Sequence, residues 1–185
     1  LFMLSRGVTT VLSQGDAGAG NWSDYRDHVL RGVRTRVVPA LNLAACGEEK
    51  QGYFADLEEA DVEACVRTIE QAEGSIWGIS INVYDTVCGD NDSREITRRA
   101  LEAAERTGLP LLFGTRGSTD WALDEQLGML RAGDVVTYCL HGWGQQIVHE
   151  GRVRDCVWDA RERGVLFDVG HGFGSFDFQV AETAI

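Results

Sequence analysis

An α/β protein forming part of a (β/α)8 barrel, with about six βα units, is predicted by three observations. Short apolar, β-branched runs alternate with amphipathic stretches along the whole chain; a glycine precedes each strand after the first; and polar residues stand at several strand C-termini. Each such glycine (Gly32, Gly74, Gly108, Gly133, Gly164) can stop a helix and turn the chain into the next strand. A whole barrel of this type needs about 250 residues. The chain has 185, so one unit is expected to be lacking at the front and one at the back. A complete open sheet of six units is the alternative that the pattern leaves standing.

Strands are expected at Val8–Leu12, Thr35–Leu41, Ile76–Val83, Leu111–Phe113, Val135–Leu140 and Val165–Val169, where β-branched and other apolar residues concentrate. Helices are expected at Trp22–Leu30, Asp56–Ala72, Ser93–Thr107, Trp121–Arg131 and Arg152–Arg163, and another begins in Phe176–Ile185. The third carries the clearest signals. Ser93 caps it, Glu95 sits in its first turn, Ile96, Ala100, Leu101 and Ala104 share a face, and Gly108 with Pro110 ends it. Leu1–Arg6 before Gly7 reads as the last turn of a helix, so both ends of a single partial domain, 1–185, are expected to fall inside elements. Its two outer strands would be unpaired edges and an aggregation liability; a homo-oligomer stays open.

With 17 Lys+Arg against 29 Asp+Glu, the net charge of −12 disfavours nucleic acid and anionic membrane as partners and leaves a small molecule. Lys50 is the one lysine, which removes most lysine-dependent chemistry, the P-loop included. The five cysteines (Cys46, Cys65, Cys88, Cys139, Cys156) are odd in number and form no C-x-x-C pair, so a reducing, cytoplasmic setting is expected. The first fifteen residues do not read as a signal peptide, and no window approaches the ~20 apolar residues of a membrane span.

The strongest local motif is Phe167-Asp168-Val169-Gly170-His171-Gly172-Phe173-Gly174, which ends the sixth strand with a carboxylate, an imidazole and glycines. Asp168 and His171 could bind metal or exchange protons, and are expected to be catalytic; equally, Asp168 could cap loop amides while His171 bonds to backbone. On the fifth strand, alternation puts Tyr138 and Leu140 on one face, with His141 just past the strand and Trp143 between Gly142 and Gly144. Tyr138, His141 and Trp143, together with Asn82 and Asp16, are the expected pocket residues. Gly15-Asp16-Ala17-Gly18-Ala19-Gly20 lacks the spacing of a dinucleotide loop and is expected to be a close-packed turn. Cys139 reads as a small buried hydrophobe, His28 and His149 as surface residues, and Trp22, Trp77, Trp121 and Trp158 as core.

Several motifs together resemble the amidohydrolase superfamily, in its amidohydrolase/deacetylase metallohydrolase branch related to dihydroorotases. They are Gly7-Val8-Thr9-Thr10-Val11 with Gly15-Asp16-Ala17-Gly18, Arg34-Thr35-Arg36-Val37 with Leu41-Asn42, Arg131-Ala132-Gly133-Asp134-Val135-Val136-Thr137, and Phe167-Asp168-Val169-Gly170-His171-Gly172. Their order and spacing are similar to strands two to seven of that barrel. The resemblance implies hydrolysis of amide C–N or ester bonds by water activated on divalent metal, zinc in the first instance. It also implies metal ligands that this sequence has replaced. Ser80 stands where the bridging lysine is expected, in Gly78-Ile79-Ser80; Gly114 stands in one histidine slot, after Leu109-Pro110-Leu111-Leu112-Phe113; and Tyr138 stands in another, in Thr137-Tyr138-Cys139. The expected function is therefore that of a metal-dependent amidohydrolase with a reduced or lost metal site, the alternative being an inactive relative that binds a ligand. His141, three residues beyond Tyr138, is a conceivable substitute ligand.

Overall fold

The structure, a computed structural model, describes residues 3–172 and 174–185. The expectations for Leu1, Phe2 and Phe173 lie outside the described residues. The chain forms two compact units, one within Leu1–Ile81 and Thr86–Pro110, the other within Asn82–Asp85 and Leu111–Ile185.

The first unit holds three parallel strands in sequence order: β1 (Thr10–Gln14), β2 (Arg36–Asn42) and β3 (Gly78–Asn82, whose last residue falls in the second unit). β1 pairs with β2 from Thr10↔Arg36 to Gln14↔Ala40, and β2 with β3 from Ala40↔Gly78 to Asn42↔Ser80. β1 thus starts and ends two residues later than expected; its end is later because Ser13 and Gln14, which carry no apolar signal, continue the ladder. All of β3 is buried, as a parallel strand covered on both faces should be. Crossovers are made by α1 (Trp22–Asp24), which runs into a π-helical stretch at Tyr25–Leu30, and by α2 (Val62–Gln71). A short turn, α3 (Asp85–Cys88), precedes α4 (Ser93–Thr107). The cap of α4 is Asp92, whose carboxylate accepts from Arg94 N–H at 2.9 Å, so Ser93 is the first helical residue rather than the cap. Gly108, at φ +68°, ends the helix as expected.

The second unit repeats the scheme with β4 (Leu111–Gly114), β5 (Val135–Thr137) and, after an antiparallel pair β6 (Val148–His149) and β7 (Arg152–Val153), the parallel β8 (Leu166–Phe167). Its helices are α5 (Leu123–Gly128), α6 (Asp155–Glu162) and α7 (Phe178–Ala184). The β6–β7 pair takes Arg152 and Val153 from the expected helix. Glu150 and Gly151 both have positive φ, 48° and 73°, which suits a two-residue hairpin turn. β5 stops at Thr137 because Tyr138 is left-handed, φ +55°, so the expected alternation through Leu140 does not occur. Asp134 braces the start of this sheet. Its buried carboxylate accepts from Leu111 N–H and Arg131 N–H, both at 2.8 Å, and pairs with the Arg131 guanidinium.

Trp22 and Trp121 are buried as expected, Trp121 edge-on to Phe113. Trp158 is not core: it is 46% exposed and carries Arg161 over its ring. Among the described residues β1 pairs with β2 alone and β8 with β5 alone, and no helix is long and apolar enough to cross a membrane.

Candidate functional site

Functional groups of a parallel α/β protein gather at strand C-termini. In the first unit these ends are closed. Asp16, after β1, is exposed, but its carboxylate accepts from the Ser13 hydroxyl and from the Tyr25 hydroxyl, at 3.2 Å. The glycine loop around it packs backbone on backbone. Gly20 N–H donates to Ala45 O at 2.7 Å, Gly18 N–H to Asn21 Oδ1 at 2.8 Å, and a Cβ on Gly18 would collide with the Ala44 carbonyl. With those amides committed to protein acceptors, the loop is the close-packed turn expected. Asn42, wholly buried at the end of β2, donates to Gly15 O and accepts from Ala44 N–H. Ser80 is buried too and donates to Gln14 O at 2.7 Å.

The strand ends of the second unit are built differently. Asn82 is buried at the end of β3, and a Cβ on Gly114 would run into its Oδ1. Directly after β4 come Thr115 and Arg116, neither of which the sequence patterns had singled out. Arg116 pairs with Asp85 at 2.6 Å and with Asp120 at 2.8 Å, and donates to Val83 O at 3.1 Å, pinning the segments that follow β3 and β4 to each other. His141 is buried at 1% exposure. Trp143 N–H donates to His141 Nδ1 at 3.3 Å, which leaves the hydrogen of the neutral ring on Nε2, 3.2 Å from Thr115 Oγ1. Burial lowers the pKa of this imidazole below the ordinary histidine value, favouring the neutral form. The His141 ring stacks on Trp143 with centroids 4.8 Å apart. Tyr84, another residue the patterns passed over, meets Trp143 edge to face at 5.7 Å and Tyr138 at 6.5 Å.

Asp168 and His171 follow β8. The half-buried Asp168 carboxylate accepts from Gly170 N–H at 2.8 Å, whereas His171 is exposed, lies against Phe176 and is 3.4 Å from Gly172 O through Nδ1. These are the loop-capping contacts that the sequence allowed as the alternative to catalysis. Cys139 is the inert hydrophobe expected, its thiol pushed up to about 12 by burial and by the Asp168 charge. The second unit therefore brings together Tyr84, Tyr138, His141 and Trp143, whereas Asp16 belongs to the first unit.

The donor set does not fit a metal centre. Ser80 spends its hydroxyl on a backbone carbonyl, Gly114 has no side chain and no room for one, and both nitrogens of His141 have partners. Among the described residues no three His, Cys, Asp or Glu side chains form a group able to hold a metal ion.

The fold and strand ends define an α/β protein of partial (β/α)8-barrel class. Comparison with known proteins carries this further. No family model matches the chain. It is 33% identical over 184 residues to a deacetylase of Enterococcus faecalis, covering 98% of this chain and 49% of that one. A deacetylase of Agrobacterium fabrum is 27% identical over 184 residues, with 97% and 45% covered. Among solved structures, an adenine deaminase superposes with a TM-score of 0.88 at 33% identity, over 96% of this chain and 48% of that one. A dihydroorotase does so with 0.84 at 27% identity, over 96% and 56%. The chain is thus a relative of the amidohydrolase superfamily, whose members depend on metal, and it spans about half the length of the curated relatives it matches.

Proposed function

We propose that the protein acts as an amidohydrolase-type hydrolase on the amide C–N or ester bond of a small molecule, with the metal positions inside this chain given up. The observation that carries the reading is the 33% identity to a deacetylase over 98% of the chain, joined to the superposition on an adenine deaminase. A net charge of −12 favours a small molecule over nucleic acid or an anionic membrane, and five free cysteines suit a reducing cytoplasm. Since Ser80, Gly114 and Tyr138 offer no metal-binding set, a divalent metal such as zinc would have to be held by side chains other than these.

The test is to measure the metal content of the purified full-length protein, then acetate release from N-acetyl amino acids and acetyl esters before and after chelation. Turnover abolished by the chelator and restored by zinc is the expected result. No turnover across the panel would remove the hydrolase reading. A second reading, a non-catalytic relative that binds a ligand, is favoured by the replacement of all three ligand positions, and predicts binding with neither metal nor turnover.

A further inference from the structure

We propose that Trp143 and Tyr138, backed by Tyr84 and His141, form a binding surface for an uncharged planar aromatic ring. The inference deepens the hydrolase reading by naming a substrate feature, and binding alone can test it. Three observations meet at this place. Trp143 is 44% exposed although His141 stacks against it, so the indole is held flat from behind while much of its surface stays open. His141 is itself held through both nitrogens, by Trp143 N–H and by Thr115 Oγ1, so its plane is set before any ligand arrives.

Tyr138 supplies the second observation. A bulky residue at φ +55° is a backbone outlier, and such outliers persist where surrounding structure over-determines them. Here Tyr138 N–H donates to Gly170 O at 3.2 Å, and the ring lies beside Gly172, where a Cβ would make ordinary contact with Cε1 at 3.7 Å. The backbone is bent so that an aromatic side chain, in the slot where the family resemblance implies a histidine, joins the cluster rather than continuing the strand. Third, Tyr84, which touches both rings, has a buried hydroxyl with no hydrogen-bond partner among the described residues. A fold that accepts a strained tyrosine and an unmet hydroxyl in one cluster retains aromatic surface there at a cost in stability, which packing alone does not require. Ring stacking sets the ligand class as planar and aromatic, and the Asp168 carboxylate, close enough to raise the pKa of the Cys139 thiol next to Tyr138, disfavours an anion.

The experiment is titration of the full-length protein with benzamide, cyclohexanecarboxamide and benzoate, followed by NMR or calorimetry, alongside acetate release by the same preparation. Benzamide is expected to bind about tenfold more tightly than its saturated counterpart, an aromatic pair preference of the usual size. Benzoate should bind more weakly than benzamide. Trp143→Ala should erase the preference, and Trp143→Phe should restore most of it. Equal binding of benzamide and cyclohexanecarboxamide by the unmodified protein, or no binding of benzamide up to its solubility limit, would overturn the inference without any variant having to fold. Acetate release with no aromatic preference refutes this surface and leaves the hydrolase reading. Aromatic binding without turnover does the reverse.

Discussion

The strand ends of the first unit and those of the second reach closure by different means. After β1 and β2 the chain is sealed by glycines whose backbones touch, and by Asn42 and Ser80, whose polar atoms are spent on main-chain groups. After β3, β4 and β5 the second unit uses side chains instead: a buried arginine with two aspartates, a buried histidine, and a cluster of aromatic rings. The difference shows that two strand-end positions of one fold can be closed by unlike means. Ser80 spends its hydroxyl on the Gln14 carbonyl, whereas Tyr138 is left-handed and sets its ring against Tyr84.

The contrast can be broken by mutation. The largest effect is expected from Asp134→Ala in the side-chain-braced unit. It leaves the Leu111 and Arg131 amides without their carboxylate acceptor, and should cost about 2–5 kcal/mol in urea unfolding. A loss below 1 kcal/mol, roughly the value of an exposed ion pair, would show that the brace is ornamental. In the backbone-sealed unit, Gly18→Ala forces a methyl against the Ala44 carbonyl and should cost about 1–3 kcal/mol. Unchanged stability there would mean that the loop is not packed as described. Tyr84→Phe should go the other way, raising stability by up to about 1 kcal/mol, because it removes a buried hydroxyl that has no partner; a loss would show that the hydroxyl is satisfied in solution.

The smallest effect is a dependence on pH. Burial lowers the folded-state pKa of His141 below the ordinary 6.5, so as pH falls through that value the unfolded chain takes up the proton first. This contribution to stability is complete above about 6.5 and declines below it until the folded-state pKa is reached. His141→Gln should flatten that part of the urea-midpoint profile. An identical slope in the variant would assign it to other groups.

Much of the fold was legible in the sequence because apolar runs and glycine stops are local signals. Gly108 ended α4 as expected, and six parallel strands formed where β-branched residues concentrate. The misreadings have physical causes. Ser13 and Gln14 extend β1 through main-chain pairing that needs no apolar side chain. Asp92 outcompetes Ser93 as cap because its carboxylate reaches the Arg94 amide. Trp158 is amphipathic enough to lie half exposed under Arg161. Tyr138, His141 and Trp143, singled out from their place after a strand, do come together in the structure, but the sequence did not single out Tyr84, which joins them, or Arg116. Nothing in Val83-Tyr84-Asp85 or Thr115-Arg116 departs from ordinary loop composition.

The sequence by itself determined the succession of strands and helices and the resemblance to amidohydrolases, since each rests on residue identity and spacing along the chain. Tertiary structure alone decided what the strand-end residues touch. Whether Ser80 finds a carbonyl, whether Gly114 is closed off by Asn82, and whether Tyr138 meets Tyr84 all depend on groups far apart in sequence. Hydrogen bonds and ring contacts act over a few ångströms of space, and only the folded backbone brings such partners within that range.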